Sequence, residues 1–313
     1  MNEELIISGR NNLLIDPHLH IWHWPIALDL FLGGLSAGIL FFAALFYILG
    51  KENKYPAAVR IVPLFVPVLL IVCFTALFYD LRHKAFFWQL YTTVKLQSPM
   101  SWGAWTLTMT FIGSVVWAVL HIRDQFPRFN LKYKWLKDTE TFLAGNKLTI
   151  AWCLIFLSVA LGVYTGILLS AFNARPLWNT AVLGPLFLTS GLAAGAASVL
   201  QFARSPEESN LFKKLTVILL GVELFLIIHM FMGFLAGTQV QIEAAELFLG
   251  GQYTMVFWIF IVFLGIIMPG VLSIMNLRGV NIPTVIPVVL ILLGGFLFRF
   301  VFVYAGQLSR WLY

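Results

Sequence analysis

Four side chains stand out by type and place: Asp29, Asp80 and Tyr164 fall within or at the end of long apolar stretches, and Arg175 follows one of them. An ionisable group at membrane depth costs at least about 2.5–3.5 kcal/mol on insertion scales, so each is a functional candidate. The spans derived below put all four at one membrane face. The loop from Leu81 to Trp102 lies at the same face and adds the aromatic run Phe86, Phe87, Trp88 and Tyr91. A carboxylate and a phenol between aliphatic and aromatic walls suit a flat ring bearing two oxygens, as in a quinol. A quinol gives up two electrons only as it releases two protons, and an acid or base within hydrogen-bond reach makes that transfer feasible. Asp29 is therefore read as the proton acceptor and Tyr164 as the group that orients an oxygen. Asp80 and Arg82, at a helix end, are read first as setting loop geometry. The plainer alternatives are a snorkelling or Arg82-paired Asp29 and an interfacial-belt Tyr164.

A second set, Glu223, His229 and Arg299, lies in the other half of the sequence. Its simpler reading is a charge pair that keeps Arg299 tolerable in lipid; its functional reading is a proton path, which Asp80 would extend. The same residues would be the substrate path of a transporter or proton channel, the rival class for this protein.

Metal and haem chemistry find little support. Bis-histidine haem needs two histidines at similar depth on facing helices. Here His18, His20, His23 and His83 sit at one surface, His121 at the opposite end of a span, and His229 alone. The triplet His18, His20 and His23 has metal-like spacing but no thiolate or carboxylate cluster beside it, and reads as a polar collar. The two cysteines, Cys73 and Cys153, fall in apolar stretches and cannot supply the four thiolates of an iron–sulfur cluster. No haem and no iron–sulfur cluster are expected in this polypeptide.

The elements that carry these residues follow from composition. The chain has 313 residues, 60% hydrophobic and only 11% charged, against about 25% charged in ordinary soluble domains. Spans of about 20 apolar residues are the natural unit. Their continuous rather than alternating apolarity makes them helices. Hydropathy, Gly, Pro and charge place eight, at 24–50, 57–81, 102–122, 148–171, 180–203, 214–237, 253–275 and 285–306. The polar N-terminus has none of the zones of a cleaved signal peptide, so the first span is expected to be retained.

An even number of spans puts both termini on one side, here called side A, with the loops near 82–101, 172–179 and 238–252. Side B takes the loops near 51–56, 123–147, 204–213 and 276–284. Of the 20 Lys and Arg residues, 13 lie at side B, six at side A, and Arg299 within the last span. The positive-inside rule then makes side B cytoplasmic and both termini periplasmic or exterior. The net charge of +6 is thus a topology signal and implies no nucleic-acid partner.

Gly33-Gly34-Leu35-Ser36-Ala37-Gly38 in span 1 matches Ser190-Gly191-Leu192-Ala193-Ala194-Gly195 in span 5, 157 positions later. Each copy has small residues four apart, which let helix backbones approach closely in lipid. Four spans separate the copies, so they enter from the same side. The expectation is an all-α membrane fold of two parallel four-helix bundles, residues 1–171 with the quinone site and residues 172–313.

Four stretches give the sequence a family resemblance. Trp22-His23-Trp24 leads into Ala27-Leu28-Asp29 and Gly34-Leu35. Ser98-Pro99-Met100-Ser101-Trp102-Gly103-Ala104-Trp105 opens span 3. Tyr164-Thr165-Gly166 runs on to Arg175-Pro176-Leu177-Trp178-Asn179, and Ala305-Gly306-Gln307 closes span 8. In these the sequence resembles the NrfD, or polysulfide reductase membrane-subunit, family over its whole eight-span layout. The resemblance implies a menaquinone or ubiquinone site near the periplasmic ends of the first four helices. Asp29 falls where family members carry a quinone-contacting polar residue, and Tyr164 on a matching tyrosine. The wider candidate site is His23, Asp29, Gly33, Asp80, Trp88, Ser98, Trp102, Tyr164 and Arg175. Ile26 stands where a relative has a polar amide, removing one hydrogen bond. The implied partners are membrane lipid, the quinone pool, a ferredoxin-like iron–sulfur subunit on the outer surface, and beyond it a molybdopterin or multihaem cytochrome catalytic subunit. The location implied is a bacterial or archaeal cytoplasmic membrane.

Overall fold

The computed structural model describes residues 22–125 and 134–310. The His18 and His20 part of the histidine collar lies outside them. The elements are α1 (Trp24–Ile48), α2 (Val66–Asp80), the short α3 (Gln89–Thr92), α4 (Pro99–Gln125), α5 (Lys134–Gly145), α6 (Lys147–Ser170), α7 (Leu183–Phe202), α8 (Pro206–Leu235), α9 (Gln239–Glu246), α10 (Met268–Leu277) and α11 (Val285–Leu308). Eight helical segments among the described residues are long and apolar enough to cross a membrane. No strand occurs among them. The protein is an all-helical, multi-pass membrane protein.

Local sequence explains most boundaries. Pro25 occupies the first turn of α1, where its missing N–H costs nothing. Gly50, at φ +67°, ends that helix in the left-handed region open to glycine. The second span, Ala57–Asp80, enters through a π-helical turn (Ala57–Ile61) and a 3-10 turn (Val62–Phe65) before α2. Pro63 and Pro67 each remove a donor from the helical ladder there. The seventh span likewise opens with a π-helical stretch, Val256–Ile267, ahead of α10.

The start of α8 corrects an expectation. Hydropathy begins span 6 at 214, yet α8 starts at Pro206. Ser205 is its N-cap, accepting from the Glu208 N–H, and Glu207 and Glu208 lie in its first turn. Acidic groups there complement the helix dipole. The buried Glu208 carboxylate also accepts the Ala58 N–H at 3.0 Å. One side chain thus serves the starts of two spans.

The packing centres on α1 and α7, which touch each other and also reach α6 and α11. The two copies of the small-residue motif meet at this contact. A Cβ on Gly38 would overlap the Gly191 carbonyl, and one on Gly195 would meet the Gly38 backbone. The repeat is therefore a helix crossing in which each copy receives the other. Gly265 and Gly294 make a second close approach, between the π-helical stretch and α11. The buried apolar residues form one cluster that draws on all eight spans.

Candidate functional site

At side A, α1, α2, α4 and α6 diverge around a cleft with an empty volume of about 940 Å³ counted to its mouth. Asp29 and Gly33 reach it from α1, Asp80 from the end of α2, and Tyr164 from α6. Apart from the hydroxyls of Tyr91 and Thr165 the rest of the wall is mostly apolar, from Trp22 and Ile26 to Leu107, Leu161 and Leu168.

The polar groups are few and convergent. Asp29 Oδ1 is buried and has no hydrogen-bond partner in the structure. Such an atom is costly unless something pairs with it. The thiol of Cys73 lies 3.9 Å from the Asp29 carbonyl oxygen. The Asp29 carboxylate is close enough to act electrostatically on the Tyr164 phenol. The phenol itself lies against α4 at Gly103, where a Cβ would overlap Tyr164 Oη. At the mouth, His23 Nδ1 stands 3.8 Å from Asp80 Oδ1, with the imidazole 59% exposed and the carboxylate 17%. Asp29 makes no ion pair with Arg82 among the described residues, and Arg82 is exposed. The Arg82-paired alternative for Asp29 is thus not what the structure contains.

Other predicted residues lie near the cleft without lining it. Trp88 is exposed, and its carbonyl accepts the Tyr91 and Thr92 N–H groups. The Ser98 carbonyl accepts from Ser101 and Trp102 N–H and so starts α4. Trp102 faces outward and donates its indole N–H to the Leu96 carbonyl at 2.8 Å. Arg175 turns away: its Nη1 donates to the carbonyls of Gln307 (2.8 Å) and Ser309 (3.1 Å) at the end of α11. Its charge serves bare helix-end carbonyls instead of a ligand.

Sequence reasoning did not name Trp22, Met100 and Gly103 as site residues, and no periodicity assigns them to this cleft. Trp22 carries a signal only in three dimensions. Its backbone N–H donates to Gln307 Oε1 and its carbonyl accepts from Gln307 Nε2, each at 2.8 Å. Its ring stacks on Trp178 at 5.3 Å, and Trp178 Nε1 donates to the Phe302 carbonyl. The last turn of α11 thereby holds a wall of the cleft.

The second set of polar groups is split. Arg299 is buried and donates through Nη1 to Ser190 Oγ and the Gly295 carbonyl, and through Nη2 to the Phe187 carbonyl. Glu223 is buried beside Ser190 and lies within electrostatic reach of Arg299. Ser190 thus takes part of the Arg299 charge next to the acid. His229 does not join them: it is exposed on the outer face of α8, its ring 6.0 Å from and parallel to Phe225. A buried relay through Glu223, His229 and Arg299 is therefore corrected to a cluster without the histidine. Helical geometry gives the reason, since six residues turn His229 far from the face of Glu223. No group of three metal-binding side chains occurs among the described residues.

The sequence matches the family described as polysulphide reductase, NrfD, over residues 13–309. The chain belongs to the NrfD family. It is 30% identical to protein NrfD of Escherichia coli (strain K12), covering 92% of this sequence and 96% of that protein. It is 28% identical to one of the polypeptides of the Wolinella succinogenes polysulfide reductase, covering 92% and 94%. A protein NrfD homolog of Haemophilus influenzae is 27% identical over 92% and 95%. In this NrfD-family protein the stretches that carry the resemblance coincide with contacts just described. Ser98 to Trp105 contains Gly103, Arg175 to Asn179 ties to α11, and Gln307 clamps Trp22.

Proposed function

We propose that this protein is the membrane anchor and quinol-binding subunit of a respiratory oxidoreductase complex. It exchanges electrons between the menaquinone or ubiquinone pool and a ferredoxin-like iron–sulfur subunit docked at side A. That subunit in turn meets a molybdopterin or multihaem cytochrome catalytic subunit. The coarse part rests on family membership and on a relative that is named as part of a polysulfide reductase. The observation that carries the finer part is one apolar cleft holding both the unpartnered Asp29 Oδ1 and the Tyr164 phenol.

The residues fit a quinol ring. Apolar walls take its faces, and Gly33 and Gly103 bring no side chain into the space beside Thr165 and Tyr164. Oxidation of a bound quinol supplies two electrons and two protons. Asp29 accepts the two protons one after the other at Oδ1, the one buried polar side-chain atom among the described cleft residues that lacks a partner, giving up the first before it takes the second. Tyr164 Oη donates a hydrogen bond that fixes the orientation of a ring oxygen. Asp80 and His23, paired at the mouth, pass the proton on to solvent at side A. Trp22, Leu107 and Leu161 keep bulk water from the reacting face. Quinone reduction uses the same groups in reverse. With side A periplasmic and side B cytoplasmic, this arrangement releases protons on the face where the electrons leave.

Quinol-dependent electron transfer by the assembled complex tests the reading with Asp29→Asn and Tyr164→Phe. A positioned proton acceptor contributes about 10²–10⁴-fold, so Asp29→Asn is expected to lower turnover by at least about 100-fold. Undiminished turnover in both variants would reduce the protein to an anchor.

A further inference from the structure

The cleft does not end at its polar groups. Leu77, Leu81, Leu90 and Tyr91 line both the cleft and a second hollow on the outward face of α2. That hollow has an empty volume of about 910 Å³ and continues along α2 past Phe78 and Thr75 to Ile71. Positions 71, 74, 75 and 78 fall on one helical face, and the ten steps from Ile71 to Leu81 span about 15 Å. The segment around α3 forms the opposite bank. Phe87 meets Phe78 edge to face there, with centroids 5.9 Å apart. Ile71, Phe78 and Phe87 are all more than two-fifths exposed to the membrane.

Apolar exposure alone is the rule for a lipid-facing helix. This surface differs in being concave, roofed by a second segment and open into the cleft. The deep end of the cleft is closed by packed helices, where Leu107 and Leu161 are buried and Gly33 lies against Thr165. A ligand whose head lies between Asp29 and Tyr164 and whose long apolar tail must reach lipid has this way out. The geometry points to the groove between α2 and α3 as the binding site for the polyisoprenoid tail of the quinol, and to Leu90 and Tyr91 as the threshold between head and tail. This rests on the quinol reading of the cleft and adds a demand to it: the groove discriminates ligands by their tails, while Asp29 and Tyr164 discriminate by the head.

The test uses the purified full-length protein and a fluorescent quinol-site inhibitor. The probe is displaced by a quinone bearing a four-isoprene tail or by the same head without a tail. Thr75→Trp fills the groove from a position away from the polar groups. Val72→Trp places the same bulk on a part of α2 outside the groove. The expected result is a tenfold or greater loss of affinity for the tailed quinone in Thr75→Trp, unchanged affinity for the tail-free head, and no change for either ligand in Val72→Trp. Equal effects on both ligands, or none on either, would overturn the groove while leaving the head site standing. Failure of the tail-free head to displace the probe from the wild-type protein would overturn the head site and the groove together. A photoreactive tail gives a second reading: labelling within residues 71–91 is expected, and labelling confined to other spans would contradict it.

Discussion

The hydroxyl of Tyr164 occupies the space in which a side chain on Gly103 would stand. The phenol is thus held by the absence of an atom on a neighbouring helix. Gly103→Ala has to displace the ring, because the added carbon would overlap Tyr164 Oη and Cζ. Overpacking of this kind costs about 1–3 kcal/mol. The expected outcome is a folded protein whose quinol turnover falls about tenfold or more, measured beside Tyr164→Phe. Combining the two substitutions should give less than the product of the separate losses, since both act on one group.

The crossing of α1 and α7 predicts a stability effect without chemistry. Gly191→Ala puts a carbon against the Gly34 backbone, which cannot rotate away. A loss of about 1–3 kcal/mol is expected, seen as a lower thermal unfolding midpoint in detergent. Gly221 on α8 has open space where its Cβ would be. Gly221→Ala should leave the midpoint unchanged or raise it slightly, since alanine is the better helix former.

Arg299, which donates to Ser190, and the buried Glu223 lie within electrostatic reach of each other. Arg299→Met leaves the buried carboxylate uncompensated, which costs about 3–5 kcal/mol in such settings. The double variant Glu223→Gln with Arg299→Met should regain much of that stability. If this pair instead forms a transport path, the isolated protein in liposomes will conduct protons, and Glu223→Gln will abolish conduction while the fold is kept. No proton conductance is expected from the isolated protein.

Gln307 predicts a positioning effect. It grips the Trp22 backbone from both sides across the molecule. Gln307→Leu breaks two hydrogen bonds at about 0.5–1.5 kcal/mol each and frees a wall of the cleft. The expected signature is a raised KM for quinol with kcat changed less. Asp29→Asn should show the opposite split.

Much of the fold was legible because the membrane imposes it. Each span must be apolar over about 20 residues, so eight segments emerged with boundaries near the observed ones. The exception, α8, begins in Ser205-Pro206-Glu207-Glu208, a polar run that hydropathy reads as loop and capping chemistry reads as a helix start. The π-helical entrances of the second and seventh spans leave no periodic trace. The small-residue repeat was visible, but that its two copies pack on each other depends on tertiary geometry. Within the site, Asp29, Asp80 and Tyr164 announced themselves because charge and phenol are rare at such depth. Trp22 and Gly103 did not, since tryptophan and glycine are ordinary in membrane proteins. Arg175 misled for a related reason: a cation beside a presumed anionic or polar site resembles a ligand, yet helix-end carbonyls hold it.

In the side A cleft, Asp29 and Tyr164 are proposed to face a quinol ring. Titration of the purified protein with a fluorescent quinol-site inhibitor tests this directly, comparing wild type with Asp29→Ala and Tyr164→Phe variants shown to be folded. Saturable binding that weakens at least about tenfold in both, about 1.4 kcal/mol or more, is the predicted result. Equal affinity in all three proteins, or no binding to a wild-type preparation that retains its lipids, would contradict it.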